Sequence, residues 1–393
     1  MITAGLTMRE TLVWPQTIVA DPAKSYERYQ TIFINTHTHT AFSDATQPGN
    51  DPQKIIDANY RHLDGLFLTD HGEHLNNAEW LKELELATAN TRGSKLCLRA
   101  EEVTGTDELN QRSSKDPAYQ HGWGHVVVVN TDSFVGRRSF GNGQPPKLVD
   151  TFQAFLAWLA TNPNGMGIFA HPSLYMTEES FEGFAAPPND PAIKQMVGCE
   201  LSSHGLTYAG LGNGKELRSS NEACYRELLR KGWRVGAYMG GDEHIPPYGT
   251  TNAVTGMYVA ERTQRGILEA MAARRTFATE EPGSLIALIG QSDIGTAIIG
   301  ETLTTTQGDN IFHVRCRSKN AGVDLLSLVF LSTKDAFYDI EIKSQQFSGK
   351  DEHWGTVVSN NDLEQKNIFA VYAKARLRNG RNLLSSPIWL QTR

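Results

Sequence analysis

The sequence has little cysteine, no long apolar run and no excess of positive charge. Its four cysteines are scattered over 393 residues without a Cys-x-x-Cys pair, which indicates small buried side chains rather than disulfides or thiolate ligands. No run of about 20 apolar residues is present, so we expect no membrane-spanning helix. The net charge of -7, without a basic stripe, argues against a nucleic-acid partner or a membrane surface. A Gly-x-Ser-x-Gly motif is also missing, which weighs against a serine hydrolase.

The length of the chain predicts about two domains. We expect an N-terminal lead-in at 1–30, a first domain at 31–283 and a second domain at 284–393. Residues 1–10 contain neither a basic segment nor an apolar stretch of signal-peptide length, so the cytoplasm is the default location unless a leader has been removed. The sequence indicates no oligomeric state.

Short apolar runs alternate with helical patterns through the first domain. The runs have the composition of buried strands and lie at 32–34, 65–69, 95–98, 125–129, 168–170, 197–199 and 235–239. Helices are predicted from Asp51 onward and at 77–92, 149–161, 219–231 and 263–274. This alternation predicts an α/β fold, a β/α (TIM-like) barrel whose active site lies at the C-terminal ends of its strands. A doubly wound open sheet would give the same alternation, but its site residues would come from one switch point.

The pattern changes after Ser284. Short strands with partial alternation are predicted, with turn residues such as Asn379-Gly380 between or beside them, at 311–317, 325–332, 338–343 and 368–377. A segment of this kind, about a hundred residues long, predicts a small antiparallel β-sandwich.

Histidines and carboxylates gather at the strand ends of the first domain. His37 and His39 project from the same side of an extended backbone, so both can reach one ion about 2.0–2.1 Å away. Six of the 12 histidines lie at strand ends or beginnings, and four acidic residues accompany them: His37, His39, His71, His125, His171, His244, Asp44, Asp70, Glu102 and Asp242. Mixed nitrogen and oxygen ligands suit zinc, manganese or iron better than calcium or magnesium. The set is large enough for two or three divalent ions.

These motifs, taken in order, resemble those of the polymerase and histidinol phosphatase (PHP) domain. The motifs are His37-x-His39 with Asp44, Thr69-Asp70-His71, Glu102 in Ala-Glu-Glu-Val-Thr, Gly124-His125, Ala170-His171-Pro172 and Gly241-Asp242-x-His244. The resemblance covers about residues 30–280. It implies a distorted seven-stranded β/α barrel with a dinuclear or trinuclear metal centre that hydrolyses phosphate esters. Residues 385–389 resemble the tail of a PHP branch that includes carbamate and aryl-ester hydrolases.

The resemblance also implies three sets of metal ligands, with Glu102, Asp242 and His244 among the catalytic residues. The first set is His37, His39, Glu102 and Asp242. In the second set Glu102 is a bridge and acts with His125 and His171. The third set is Asp44, His71 and His244.

Two of these assignments have competitors in the sequence. Glu101 competes with Glu102 as the bridging ligand, and we prefer Glu102 because the family pattern has the acid just before a β-branched pair, here Val103-Thr104. His121 competes with His125, with a solvent-facing loop position as its alternative. We expect Asp70 to support a ligand or cap a helix rather than to bind metal.

Four residues are candidate substrate contacts. Glu200 follows a strand but has no place in the three sets, so it either supports a ligand or contacts substrate. His204 is a candidate general acid or phosphate contact, with a plain loop position as its alternative. Tyr175 is one of several loop aromatics that could line a pocket, and His121 is the fourth candidate.

The predicted reaction is hydrolysis of a phosphate monoester or diester by a hydroxide held between the ions, with a small-molecule ester as substrate. Hydrolysis of a carboxylic ester or carbamate by the same centre is the nearer alternative. A binding module with an inactive barrel is the second alternative, but a degenerate site would be expected to lose ligands.

Overall fold

The computed structural model describes residues 22–45, 47–105, 123–135, 151–172, 180–184, 192–203, 214–334, 336–344 and 346–393. Within these ranges the strands of the N-terminal part are β1 (Gln30–Asn35), β2 (Gly65–Leu68), β3 (Leu96–Thr104), β4 (His125–Val129), β5 (Met166–Ala170), β6 (Met196–Ser203), β7 (Gly236–Gly240), β8 (Val254–Val259) and β9 (Thr276–Thr279). The C-terminal strands are β10 (Leu285–Gln291), β11 (Thr296–Ile298), β12 (Thr302–Thr305), β13 (Asp309–Arg317), β14 (Val323–Ser332), β15 (Ile340–Lys343), β16 (Asp351–Ser359), β17 (Ile368–Leu377), β18 (Asn382–Ser385) and β19 (Ile388–Thr392). The helices are α1 (Pro22–Tyr26), α2 (Pro52–Tyr60), α3 (Asn77–Asn90), α4 (Phe152–Ala160), α5 (Ala192–Gln195), α6 (Gly214–Arg230), α7 (Gln264–Ala272) and α8 (Asn360–Gln365).

Local sequence signals set the starts of the helices that follow β1 and β2. The Asp51 carboxylate accepts hydrogen bonds from the first-turn N–H groups of α2, and Pro52 occupies the first helical position, as predicted. Asn76 and Glu79 form a reciprocal capping box at the start of α3. These caps fix where each helix begins relative to the strand before it.

The strands of the N-terminal part form a mixed sheet in chain order from β1 to β7. Most neighbours are parallel, but β4 runs antiparallel to both β3 and β5. The register pairs His125 at the start of β4 with Thr104 at the end of β3 and with Ala170 at the end of β5. Because β4 is reversed, its first residue lies at the same edge as the last residues of its neighbours.

The sheet also continues in the other direction from β1. Strand β8 pairs antiparallel with β1, β9 pairs with β8, and β18 pairs with β9. Residues on both sides of the predicted boundary at 283 therefore share one sheet, and the boundary itself stays a prediction. Strands β8 and β9 were not predicted, because they are short, fully buried runs without alternation.

The C-terminal part contains a second, antiparallel sheet with the order β11-β10-β13-β16. Its apolar residues share one core with those of β14 and β17, as shown by Leu288, Phe312, Phe330 and Val371. The rings of Phe312 and Phe330 meet edge to face at 5.3 Å. Strands β13, β14, β15 and β17 were predicted, and the others were missed.

Two predictions about the whole chain concern membrane-spanning helices and the cysteines. None of the helices in the described ranges is long and apolar enough to cross a membrane. All four cysteines are buried with free thiols, which agrees with their interpretation as small apolar side chains.

Candidate metal centre

The nine predicted ligands come together at the edge of the sheet where β1, β2, β3, β5 and β7 end and β4 begins. Their donor atoms form three groups that share some residues, and within each group the atoms lie within 4.8 Å of one another. The groups are His39, Asp44, His71 and His244, then His37, Glu102, His171 and Asp242, and finally His71, Glu102 and His125. Clusters of this composition fit a metal site.

The first set has the spacing of a coordination shell. His37 Nε2 and His39 Nε2 lie 3.1 Å apart, and each lies 3.3 Å from Glu102 Oε2. Asp242 Oδ1 lies 3.4 Å from His37 Nε2 and 3.1 Å from His39 Nε2. Ligand atoms about 2.0–2.1 Å from one ion, arranged as a tetrahedron, lie roughly 3.3–3.4 Å from one another. The four atoms therefore surround a point that is suited to one ion.

Burial strengthens this interpretation of the first set. Glu102 Oε2 and Asp242 Oδ1 are both buried. Among the described residues, no donor makes a well-formed hydrogen bond to either oxygen. A buried carboxylate oxygen without a donor is costly unless a cation satisfies it. The donor set therefore fits a divalent metal ion.

The second set is built on the other oxygen of Glu102. Glu102 Oε1 lies 2.8 Å from His125 Nδ1 and 2.9 Å from His171 Nε2. The two oxygens of this carboxylate thus face different groups of histidines. The bridging role that the resemblance implies for Glu102 stays a prediction.

The third set lies nearer the surface. Asp44 Oδ2 is 3.1 Å from His244 Nε2 and 3.5 Å from His71 Nε2, and the Asp44 side chain is 36% exposed. His71 Nδ1 also lies 2.9 Å from Thr104 Oγ1 and 3.3 Å from Glu102 Oε2. This part of the cluster is therefore the part that solvent reaches.

The alternation of β3 separates Glu101 from Glu102. Because successive side chains of a strand point to opposite faces, only one of the two acids can face the histidines. Glu102 does so, whereas Glu101 Oε2 accepts the N–H of Val135 at 2.9 Å. Burial raises the pKa of Glu101 to about 8.

Glu200 contacts two of the predicted ligands. Its fully buried carboxylate accepts a hydrogen bond from His37 Nδ1 at 3.0 Å and another from the backbone N–H of His171 at 2.9 Å. The first bond holds the Nδ1–H tautomer of His37 and leaves Nε2 as the lone-pair donor. Of the two roles open for Glu200, these contacts favour ligand support over substrate contact.

Asp70 holds the loop between two ligands, which agrees with the supporting role expected for it. Its Oδ1 accepts the Thr40 N–H at 2.7 Å, and its Oδ2 accepts the Thr40 hydroxyl at 2.6 Å. Ser43 Oγ also donates to Oδ1, at 2.5 Å. The loop from His39 to Asp44 is therefore tied to the end of β2.

Two of the candidate ligands have unusual backbone conformations. His171 and Asp242 have positive φ angles of 27° and 49°, in the left-handed region that most residues avoid. The Asp242 N–H donates to the carbonyl of His37 at 2.8 Å, which joins the chain after β7 to the chain after β1. Such conformations are held by their surroundings and concentrate at functional sites.

A glycine at the end of β7 permits the close approach of β1. A Cβ on Gly240 would lie 2.3 Å from His37 Cβ and 2.9 Å from Glu200 Oε1, which is too close for any side chain. The Gly-Gly-Asp sequence therefore brings Asp242 beside His37.

The charges of the cluster are strongly coupled. Burial by itself would raise the pKa values of Glu102, Asp242 and Asp44, but the neighbouring histidines hold all three well below their usual range. Burial would lower the pKa values of His71 and His244, but the carboxylates raise them to about 10 and about 9. In the metal-free protein at pH 7 these two histidines carry protons that a metal ion would displace.

Three predicted substrate contacts, His121, Tyr175 and His204, lie outside the described residues. The sequence also gave no indication that Glu243 is a supporting residue. Glu243 accepts the N–H groups of Gly249, Thr250 and Thr251 at 2.9, 3.2 and 3.1 Å, and so shapes the loop after His244. An acid next to Asp242 gave no separate signal in the sequence.

No family model matches the chain, and no curated protein matches it. Among solved structures, it is similar to a two-domain protein from Bacteroides vulgatus ATCC 8482 that contains a predicted PHP-like metal-dependent phosphoesterase. The two chains are 15% identical, the alignment covers 93% of this chain and 96% of the other, and the TM-score is 0.44.

Proposed function

We propose that this chain is a metal-dependent hydrolase of phosphate monoesters or diesters. The spacing of the first set carries the proposal. Nε2 of His37 and of His39 lie 3.1 Å apart, and each lies 3.1–3.4 Å from Glu102 Oε2 and Asp242 Oδ1. Structural metal sites close all positions with protein ligands, but this cluster extends toward solvent through Asp44.

The first, second and third sets would hold two or three divalent ions, for which zinc, manganese and iron suit the ligands. When bound, such ions supply Lewis-acid polarisation of the ester and a water of lowered pKa. Glu102 would place two of these centres side by side, because its two oxygens face the first and the second set. Adjacent cationic centres suit a phosphoryl group, whose charge is spread over several oxygens.

The residues of the chain would position the ions and the substrate. Glu200 holds His37 in one tautomer, and Asp70 fixes the loop that carries His39 and Asp44. The buried donors of the first set lie in a low-dielectric region, where their electrostatic interactions are stronger than in water. Asp44 and His244, which are partly exposed, lie where a small ester would arrive.

We also propose that the N-terminal part is a distorted barrel and that the C-terminal part contains a β-sandwich. Strands β1 to β7 would curve into a distorted barrel, supported by the hydrogen bond from the Asp242 N–H to His37. The β10–β13 sheet and the β14–β17 pair would form a sandwich, supported by their shared core.

Purified protein loaded with zinc or manganese would be tested on p-nitrophenyl phosphate, bis(p-nitrophenyl) phosphate and p-nitrophenyl acetate. We expect turnover of a phosphate ester that is lost on chelation and restored by metal. His37→Ala and Asp242→Ala should abolish it, whereas His62→Ala, at an exposed position, should not. Faster turnover of the acetate than of both phosphates would identify a carboxylic-ester hydrolase. Activity that survives both ligand substitutions would refute the metal mechanism.

A further inference from the structure

The loop that follows His244 exposes three consecutive apolar side chains. Ile245 is 54% exposed, and Pro246 and Pro247 are also exposed. Single apolar residues are common on protein surfaces, but a run of three is unfavourable unless it has a function. The run begins directly after a candidate ligand of the third set, so it lies beside the metal centre.

Contacts on both sides of the run hold its backbone. The Tyr248 hydroxyl donates to the His244 carbonyl at 3.1 Å, and the buried Tyr248 ring belongs to the same apolar cluster as Ala45. Glu243 accepts the N–H groups of residues 249–251. The loop is therefore tied to the protein before and after the run, and the apolar side chains between these ties face solvent.

The run lies on the side of the centre that solvent reaches. His244 Nε2 lies 3.1 Å from Asp44 Oδ2, so the loop after β7 meets the loop after β1 at this point. The side chains of His244 and Asp44 are 23% and 36% exposed, whereas those of His37 and Glu102 are 0% and 1% exposed. A substrate that approaches through the third set therefore passes Ile245, the next residue in the chain.

These two loops offer no cation to a charged leaving group. Residues 40–50 and 243–252 contain neither Lys nor Arg. Their acids are Asp44, a candidate ligand, and Glu243, whose oxygens accept backbone N–H groups. An anionic leaving group would meet the Asp44 carboxylate and an apolar surface, which is unfavourable. An uncharged apolar group would instead bury surface against Ile245 and the two proline rings.

We propose that Ile245, Pro246 and Pro247 bind the leaving group of the substrate, which is an ester of an uncharged, apolar alcohol or phenol. Ile245 determines this specificity, because it is the member of the run next to His244. The inference rests on the proposed function and narrows its substrate: the phosphoryl group binds at the ions, and the apolar group binds on the loop.

The test compares phenyl phosphate with 4-carboxyphenyl phosphate, with the methyl diesters of both in parallel. The zinc-loaded wild type, Ile245→Ser and Ile245→Lys would be measured. The intrinsic reactivities of the two esters differ, but this difference cancels when the ratio of their kcat/KM values is compared between proteins. We expect Ser to lower the phenyl-to-carboxyphenyl ratio about 10-fold, mainly by raising KM for the phenyl ester. Lys should lower the ratio further, because its charge attracts the carboxylate.

Ile294→Ser is the matched control, because Ile294 is 50% exposed and lies in the C-terminal part, between β10 and β11. This variant should keep the wild-type ratio. Zinc content should be the same in all four proteins, since neither isoleucine is a ligand. An unchanged ratio in both Ile245 variants would overturn the inference. A wild-type dimer that dissociates in Ile245→Ser while the ratio stays unchanged would also overturn it, because a second copy of the chain would then cover the run.

Failure of the proposed function would give a different result. If the wild type hydrolyses no phosphate ester, calorimetry would measure the binding of phenylphosphonate and methylphosphonate to the zinc-loaded protein. Tighter binding of phenylphosphonate that is lost in Ile245→Ser would support the apolar site and refute only the proposed function. Equal binding of the two phosphonates to the wild type would overturn the inference as well.

Discussion

Replacing Glu200 with Gln should weaken metal binding at the first set without unfolding the protein. The carboxylate accepts from two donors, His37 Nδ1–H and the His171 N–H, at 3.0 and 2.9 Å. An amide has one acceptor atom, so its NH₂ group would face one of these two donors. If His37 changed its tautomer to avoid this contact, a proton would lie on Nε2, where the metal should bind.

The magnitude follows from this loss of one bond and one charge. Groups that orient a metal ligand are typically worth about 10–100-fold in metal affinity, or about 1.4–2.7 kcal/mol. Glu200→Ala should differ, because it leaves two buried donors unsatisfied at about 1–3 kcal/mol each and so should also lower the free energy of unfolding. Zinc affinity would be measured by competition with a chromophoric chelator, and stability by urea denaturation.

Glu227→Gln is the matched control. This acid is 45% exposed, and its ion-pair contacts with Arg230 and Lys231 are long, at 3.8 and 3.6 Å. Wild-type zinc affinity in Glu200→Gln would refute the orienting role. A variant that loses stability but keeps its affinity would show that Glu200 is merely structural.

Three further predictions concern other parts of the molecule. Gly240→Ala should displace His37 and destabilise the fold by about 1–3 kcal/mol. The variant should bind less zinc and unfold at a lower urea concentration, and unchanged zinc content would contradict this prediction. Glu281, between β9 and β10, accepts hydrogen bonds from Ser318, Asn320 and Asn379. Glu281→Ala removes this acceptor and should lower stability by a few kcal/mol without changing zinc affinity, as calorimetry and dialysis can show. The pKa values of His71 and His244 are raised to about 10 and about 9, so zinc uptake at pH 7 should release protons and zinc should bind more tightly as the pH rises toward 9. Calorimetry in buffers of different ionisation enthalpy would measure the proton release. Zinc uptake without proton release would contradict the prediction.

The sequence predicted the clustering of the candidate ligands better than the sheet that carries them. His37 and His39 were recognisable because their spacing on a strand gives two donors on one side. Asp242 was recognisable because Gly241-Asp242-x-His244 resembles a motif of the PHP domain. The reversal of β4 could not be predicted, since an apolar run has the same composition in either direction. That reversal explains why His125 begins a strand whereas His171 follows one.

The supporting residues were harder to predict because they act through contacts between distant parts of the chain. Glu200 did leave a signal, an acid directly after a predicted strand, but its contacts with His37 and His171 could not be inferred from spacing. The continuation of the sheet through β9 and β18 likewise joins residues about a hundred positions apart, and no local pattern encodes that pairing.

Elemental analysis of the purified protein and its His39→Ala variant is the most direct test of whether the clustered histidines and acids bind metal ions. His39 belongs to the first set and also groups with Asp44, His71 and His244. We expect two to three equivalents of zinc, manganese or iron per wild-type chain, removed by chelation and restored on dialysis, and fewer in the variant. No metal in the wild-type protein, even after dialysis against zinc and manganese, or the same content in both proteins, would contradict it.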